Sequence, residues 1–210
     1  MKKKYIIPII VLTGGPCGGK TTVLQRFIKL LRKMGFTPLV ISETATIIIA
    51  REQKKNIVLT NLERQRQIAK YQIAQEKKYL MKAEKLVEQG KKPVIICDRG
   101  LIDNKAYCTV EEWKILQKEF PALKDKHLFK RYHGGIFLVT APKQYYRTDN
   151  NTSRNESTHK HAKKVESATL LVYEQMLNLH RIRNNGGRDK KFLKAETVLI
   201  NHIKRLDNIK

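Results

Sequence analysis

The segment IIVLTGGPCGGKTT, residues 9–22, decides the fold. Ile9–Thr13 is a β-branched, apolar run without alternation, the pattern of a strand covered on both faces. Gly14 to Thr21 then match G-x-x-x-x-G-K-[ST], the phosphate-loop pattern. Beyond it, Val23, Leu24, Phe27, Leu30, Leu31 and Met34 recur at helical spacing, and Gly35 offers a stop. Strand, glycine-rich loop and helix in that order are the context in which this motif holds phosphate. The loop collects inward-facing N–H donors, and the helix start adds its positive dipole end. Gly14, Gly15, Pro16, Cys17, Gly18, Gly19, Lys20, Thr21 and Thr22 are therefore expected to hold a nucleoside triphosphate, ATP or GTP. Lys20 would bridge the β- and γ-phosphates, and the Thr21 hydroxyl would bind Mg²⁺. Cys17 is either an unusually acidic thiol at the helix start or an inert loop residue.

Further strands are predicted at Pro38–Ser42, Pro93–Cys97 and Ile136–Thr140, with a weak fifth at His180–Arg183. Between them fall helices at Thr44–Arg51, from Thr60 to Gly90, and after Thr109. Thr60-x-x-Glu63 and Thr109-x-x-Glu112 are capping boxes, which mark two of those helix starts. Ala162–Leu179 and Lys191–Leu206 read as helices, and the polar stretch 143–161 reads as a mobile lid. Alternation of this kind predicts an α/β fold, a three-layer α/β/α sandwich on a five-stranded parallel sheet. The expected organisation is a single domain over 1–210. Right-handed crossovers would place Gly14, Glu43, Asp98 and Thr140 along one edge of the sheet, where such folds bind ligands.

Two of those exits carry further chemistry. Asp98 ends an apolar strand, and a carboxylate beside a phosphate loop helps to hold Mg²⁺. Arg99 is suited either to a bidentate grip on phosphate or carboxylate or to a salt bridge with a helix. Glu43 could accept the proton of an attacking hydroxyl, or cap the helix that follows it. In the lid, Arg147 and Arg154 with Glu156 could bring arginine-finger charge over a triphosphate.

Composition sets bounds on the rest. The chain has 210 residues with 43 Lys+Arg against 19 Asp+Glu, a formal net charge of +24. The excess is spread along it, with 21 basic and 7 acidic side chains in residues 1–100 and 22 and 12 in 101–210. Such charge attracts polyanions, or it reflects an AT-rich coding sequence. Cys17, Cys97 and Cys108 have no metal-ligand spacing and are odd in number, which suits a reducing compartment and a cytoplasmic protein. Lys2–Lys4 followed by apolar residues imitates a signal peptide. No cleavage pattern follows, however, and the run is too short to cross a bilayer, so a buried first strand is expected. Helix-turn-helix, zinc and aromatic-stacking patterns are missing from the sequence, which places nucleic acid behind other polyanions.

The strings VLTGGPCGGKTT, VISETAT, RQRQIAKYQIAQE, VIICDRGLIDNKAY, IFLVTA and NNTSRNE follow one another between residues 11 and 156. Together they resemble an AAA-type family of small phosphate-loop domains. That family includes the ribosylnicotinamide kinase domain of the bacterial NAD-biosynthesis regulator and the fly TRP-channel translocation-defect protein. The resemblance implies a nucleoside-kinase-like fold, Asp98 and Arg99 at the reacting phosphate, and a lid carrying Arg154. It makes Asp103, Tyr107 and Glu156 pattern positions without assigning their roles. Asn184-Asn185 stand where the family often has Asp-Asn. The regulator's adenylyl-transfer and DNA-binding domains have no counterpart in this length of chain. Two functions follow as expectations. One is a kinase acting on a small hydroxyl-bearing metabolite, with catalytic Lys20, Glu43, Asp98, Arg99 and Arg154. The other is a nucleotide-dependent module peripheral to an anionic membrane or phosphoinositide surface, as the fly relative implies.

Overall fold

A computed structural model describes residues 5–146 and 158–207. Five parallel strands form the sheet: β1 (Ile9–Gly14), β2 (Thr37–Ile41), β3 (Pro93–Asp98), β4 (Gly134–Leu138) and β5 (Leu179–Ile182). They lie in the order β2-β3-β1-β4-β5. The helices are α1 (Lys20–Lys33), α2 (Thr44–Lys55), α3 (Asn61–Glu88), α4 (Leu101–Ala106), α5 (Val110–Glu119), α6 (Asp125–Leu128), α7 (His159–Tyr173) and α8 (Gly187–Asp207). The expected three-layer α/β/α architecture is therefore present.

Strand periodicity divides the apolar residues between two cores. Ile10 and Leu12 of β1, with Val94 and Ile96 of β3, pack on Phe27 and Leu31 of α1 and Leu199 of α8. Their neighbours Val11, Ile95 and Cys97 face the other way, onto Leu101, Trp113 and Tyr173. Both capping boxes form as expected, with Thr60 and Thr109 accepting from the backbone N–H groups of Glu63 and Glu112.

The boundaries shift where packing overrides local pattern. β4 begins two residues before the predicted start, at Gly134. A Cβ there would sit 2.5 Å from the His202 ring, so this strand passes beneath α8 only because its first residue has no side chain. The helix predicted over Ala162–Leu179 runs instead over His159–Tyr173, capped by the Thr158 hydroxyl. The apolar period continues to Leu179, but Leu179 pairs with Gly135 and Asn178 accepts from the Gly135 N–H. The chain must turn after Tyr173 to bring β5 into register. α8 starts at Gly187, ahead of the predicted Lys191, and α2 continues past Arg51 to Lys55. α4 was not predicted, because six residues are too few to show a period.

His202 packs against β4 with its Nε2 buried and without a hydrogen-bond partner among the described residues. Burial first, then the charges of His180 and Arg205, pull its pKa down to about 4, against a weaker raising effect of Gly135. The folded state thus binds this proton less tightly than the unfolded chain. Its contribution to stability is full above pH 6.5 and is lost as pH falls towards 4, roughly 3 kcal/mol in all. Urea unfolding from pH 7 to pH 4 should show this slope in the wild type and a flatter one in His202→Leu. Identical slopes would contradict it.

Candidate functional site

The carboxyl ends of β1, β2 and β3 open onto a cavity of about 390 Å³. Its floor is the loop from Pro16 to Thr22 at the start of α1. The loop is folded tightly against β4: the Gly15 N–H donates to Leu138 O at 3.0 Å, and the Gly18 N–H to Gly15 O at 3.2 Å. Gly14 has φ +133°, and a Cβ on it would fall 2.0 Å from Leu138 O. No other residue fits that position.

Lys20 leads α1 and reaches back over the loop, with Nζ 3.5 Å from Gly14 O and 3.4 Å from Gly15 O. Burial and then the nearby Arg99 charge pull its pKa down to about 8, against Glu43, Asp98 and Asp103. Its partners in this state are long and neutral, so an arriving phosphate would supply what the ammonium lacks. Thr21 and Thr22 line the same floor.

Asp98 ends β3 beside Leu12 of β1, next to the loop. Its Oδ1 is buried and has no hydrogen-bond partner among the described residues. Burial pushes its pKa up to about 6, with Lys20 and Arg99 opposing and Glu43 and Asp103 adding to the rise. An orphaned carboxylate oxygen in a cavity that Thr21 and a phosphate cradle also line fits a divalent cation. Among the described residues no group of three His, Cys, Asp or Glu side chains could hold one alone. Nucleotide oxygens and water would therefore complete the shell, as Mg²⁺ prefers.

Arg99 has φ +65°, an uncommon conformation for a non-glycine residue, and it turns the side chain into the cavity. There its Nε donates to Glu43 Oε1 at 2.5 Å and its Nη1 to Asp103 Oδ1 at 2.9 Å. The sequence left two roles open for Arg99; its present partners are carboxylates that themselves border the cavity. Burial would raise the Glu43 pKa, but Arg99 and Lys20 outweigh it and hold the group below the usual range. Glu43 stands at the start of α2 and its carboxylate does not cap the helix backbone. It accepts instead from the Thr46 hydroxyl at 3.2 Å.

Asp103, a pattern position without an assigned role, proves to be the anchor of this group. It is 4% exposed and takes bonds from Thr13 Oγ1 at 2.8 Å, the Gly100 N–H at 2.9 Å and Tyr173 OH at 2.5 Å, besides Arg99. The α3 wall was missed altogether. Gln65, Gln72 and Glu76 recur at i, i+7 and i+11, so they share the buried face with Ile68 and Ala69. Gln72 accepts from the Thr44 hydroxyl and donates to Glu76 at 2.9 Å; Glu76 in turn takes bonds from Tyr132 OH at 2.8 Å and from Arg131. Gln65 lines the cavity together with Asn104 and Tyr107. Polar residues repeating on the apolar face of RQRQIAKYQIAQE were the available signal.

Thr140, expected on the rim, is buried behind the loop. Its N–H donates to Glu166 Oε2 at 2.6 Å, and its carbonyl accepts from Asn184 at 2.7 Å. Arg147, Arg154 and Glu156 lie outside the described residues. The flanks of that segment do meet near the end of β4: the rings of Tyr146 and His159 lie edge to face at 5.4 Å.

A family model described as AAA domain matches residues 9–188. That span takes in all five strands, the phosphate loop and the walls of the cavity. No curated protein matches the chain.

Proposed function

Because the chain belongs to the AAA domain family and binds nucleotide through its phosphate loop, we propose that it transfers the γ-phosphoryl group of ATP or GTP to a hydroxyl of a small metabolite. One observation carries this reading. The cavity of the phosphate loop extends beyond the loop, to side chains of α2, α3 and α4. Glu43, Arg99, Gln65 and Asn104 line that side of it, so an acceptor bearing hydroxyl and amide or ring-nitrogen groups would find partners there. The likeness to the ribosylnicotinamide kinase domain supports a nucleoside-like acceptor.

Lys20 draws the triphosphate into the loop and fixes its reacting end. Thr21 and Asp98 would hold Mg²⁺, whose charge offsets the negative charge on the phosphates. Glu43, ionised and beside the cavity, orients the acceptor hydroxyl and takes its proton as the new P–O bond forms and the β–γ bridge breaks. Arg99, already placed between two carboxylates, exchanges part of that contact for the transferring phosphoryl oxygens. Phosphoryl transfer asks mainly for such positioning and charge, with little demand on base strength. Arg154 is proposed to complete the charge from the lid. The test is thermal stability with ATP–Mg²⁺ and GTP–Mg²⁺, followed by nucleosides, nucleotides and pyridine ribosides added to the stabilising one. A ligand that binds the native state raises the midpoint by mass action. A further rise with one acceptor class supports the proposal; no rise with any member contradicts it.

A second reading, attachment to an anionic membrane, is favoured by the outer face of α3. Lys70, Lys77, Lys78, Lys82 and Lys85 are exposed along it, around Ala74 and Met81. Among the described residues no helix is long and apolar enough to cross a membrane, so contact would be peripheral. Each lysine near an anionic surface would contribute about 1 kcal/mol. Vesicles containing phosphatidylserine should then bind the wild type at low salt and release a Lys77→Glu/Lys82→Glu variant. Equal binding to neutral vesicles would remove this reading.

A further inference from the structure

Lys191 of α8 is 5% exposed, and nothing in the transfer scheme uses it. Its ammonium donates to three oxygens: Val139 O at 2.7 Å, Gly18 O at 2.8 Å and Asn184 Oδ1 at 2.9 Å. All three N–H bonds are thus satisfied, and every acceptor is neutral. Among the described residues no carboxylate lies within ion-pair distance of it. The nearest carboxylate with an electrostatic effect on it is Glu166, whose oxygens already serve the Thr140 N–H, Lys163 at 2.8 Å and Arg181 at 3.5 Å. The positive charge of Lys191 is therefore held behind the phosphate loop without direct cancellation.

Its bond to Gly18 has a directional consequence. In a trans peptide the carbonyl of one residue and the N–H of the next point in opposite directions. Gly18 O points back to Lys191, so the Gly19 N–H is turned the other way, towards the cavity that Gly19 lines. We infer that Lys191 is a positioning residue for the nucleotide phosphates, fixing the Gly18–Gly19 peptide so that its N–H faces the anion and adding positive potential from behind the loop. Burial first, and then Lys20 and Lys163 against Glu166, bring the ammonium to a pKa of about 8, which agrees with its closeness to Lys20 across the loop. Asn184 sets the acceptor charge: its Nδ2 is spent on Thr140 O at 2.7 Å and its Oδ1 on Lys191. An aspartate in its place would pair with the ammonium and cancel the field.

The inference needs nucleotide binding alone, not transfer, so binding measurements separate the two. Titration calorimetry on the full chain would compare the tri-, di- and monophosphates of whichever base, adenine or guanine, the wild type binds. Lys191→Met is expected to weaken the triphosphate about tenfold and the monophosphate by less, since the lost charge acts on more negative charge in the triphosphate. Lys191→Gln, which keeps a donor without the charge, should fall between. Asn184→Asp keeps Lys191 in place and should also weaken the triphosphate most, by about threefold; it decides the matter if Lys191→Met does not fold. A merely structural prop would lower the melting temperature and weaken all three nucleotides by the same factor. That equal loss, or unchanged affinities in Asn184→Asp and Lys191→Gln, would overturn the inference.

Discussion

Lys20→Ala is expected to weaken triphosphate binding by about a hundredfold or more, a loss of roughly 3 kcal/mol. The reason lies in the state of the side chain before phosphate arrives. The ammonium is buried, its nearest carbonyls are at 3.4 and 3.5 Å, and burial together with Arg99 has drawn its pKa to about 8. It is the group in the loop with most to gain from an anion. Removing it should leave the fold intact, because its hydrogen bonds are long and to neutral carbonyls, and the cost of burying the charge outweighs its attraction to Glu43, Asp98 and Asp103. Fluorescent-nucleotide titration should show the loss with an unchanged melting temperature. Lys20→Arg should not restore binding, since a planar guanidinium does not fit the space of a compact ammonium. Wild-type affinity in Lys20→Ala would remove the loop from the account.

Arg99→Ala should strike both stability and turnover. Arg99 neutralises Glu43 at 2.5 Å and the buried Asp103 at 2.9 Å. Asp103 keeps Thr13, Gly100 and Tyr173, so the fold survives, but a buried carboxylate deprived of its counter-charge costs about 3 kcal/mol. Under the proposed transfer, turnover should fall by about a thousandfold, since the guanidinium would be lost to the transferring phosphoryl group and Glu43 would lose its partner at 2.5 Å. Arg99→Lys should recover part of the stability and little of the rate, since one point charge cannot serve two carboxylates in the same fork. Urea unfolding and steady-state turnover on the same preparations check this. Stability loss without rate loss would make Arg99 a structural ion pair alone.

The parts of the site that are contiguous in sequence were legible there. GGPCGGKT announces itself because backbone geometry and chemistry are carried by one short string, and Asp98–Arg99 stand at the end of an apolar run. What was hidden depends on residues far apart. Asp103 draws Thr13 and Tyr173 together across 90 and 70 positions, and Lys191 meets Gly18 across 173. No local period signals such meetings. Gly134 is of the same kind, for it reads as a turn residue until the ring of His202 is seen against it. Gln65, Gln72 and Glu76 show the opposite failure. Their spacing was visible, but polar residues on the buried face of a helix that is polar throughout do not stand out.

The proposed function turns on a phosphate acceptor entering the α2–α4 side of the phosphate-loop cavity. The most direct measurement is mass spectrometry of reactions containing the protein, Mg²⁺, ATP or GTP and each metabolite of the nucleoside and pyridine-riboside panel. The account predicts one acceptor class gaining a single phosphoryl group, in step with nucleoside diphosphate, with the product absent in Lys20→Ala and Arg99→Ala. Nucleoside diphosphate released at the same rate with or without every acceptor, and no phosphorylated product, would contradict it.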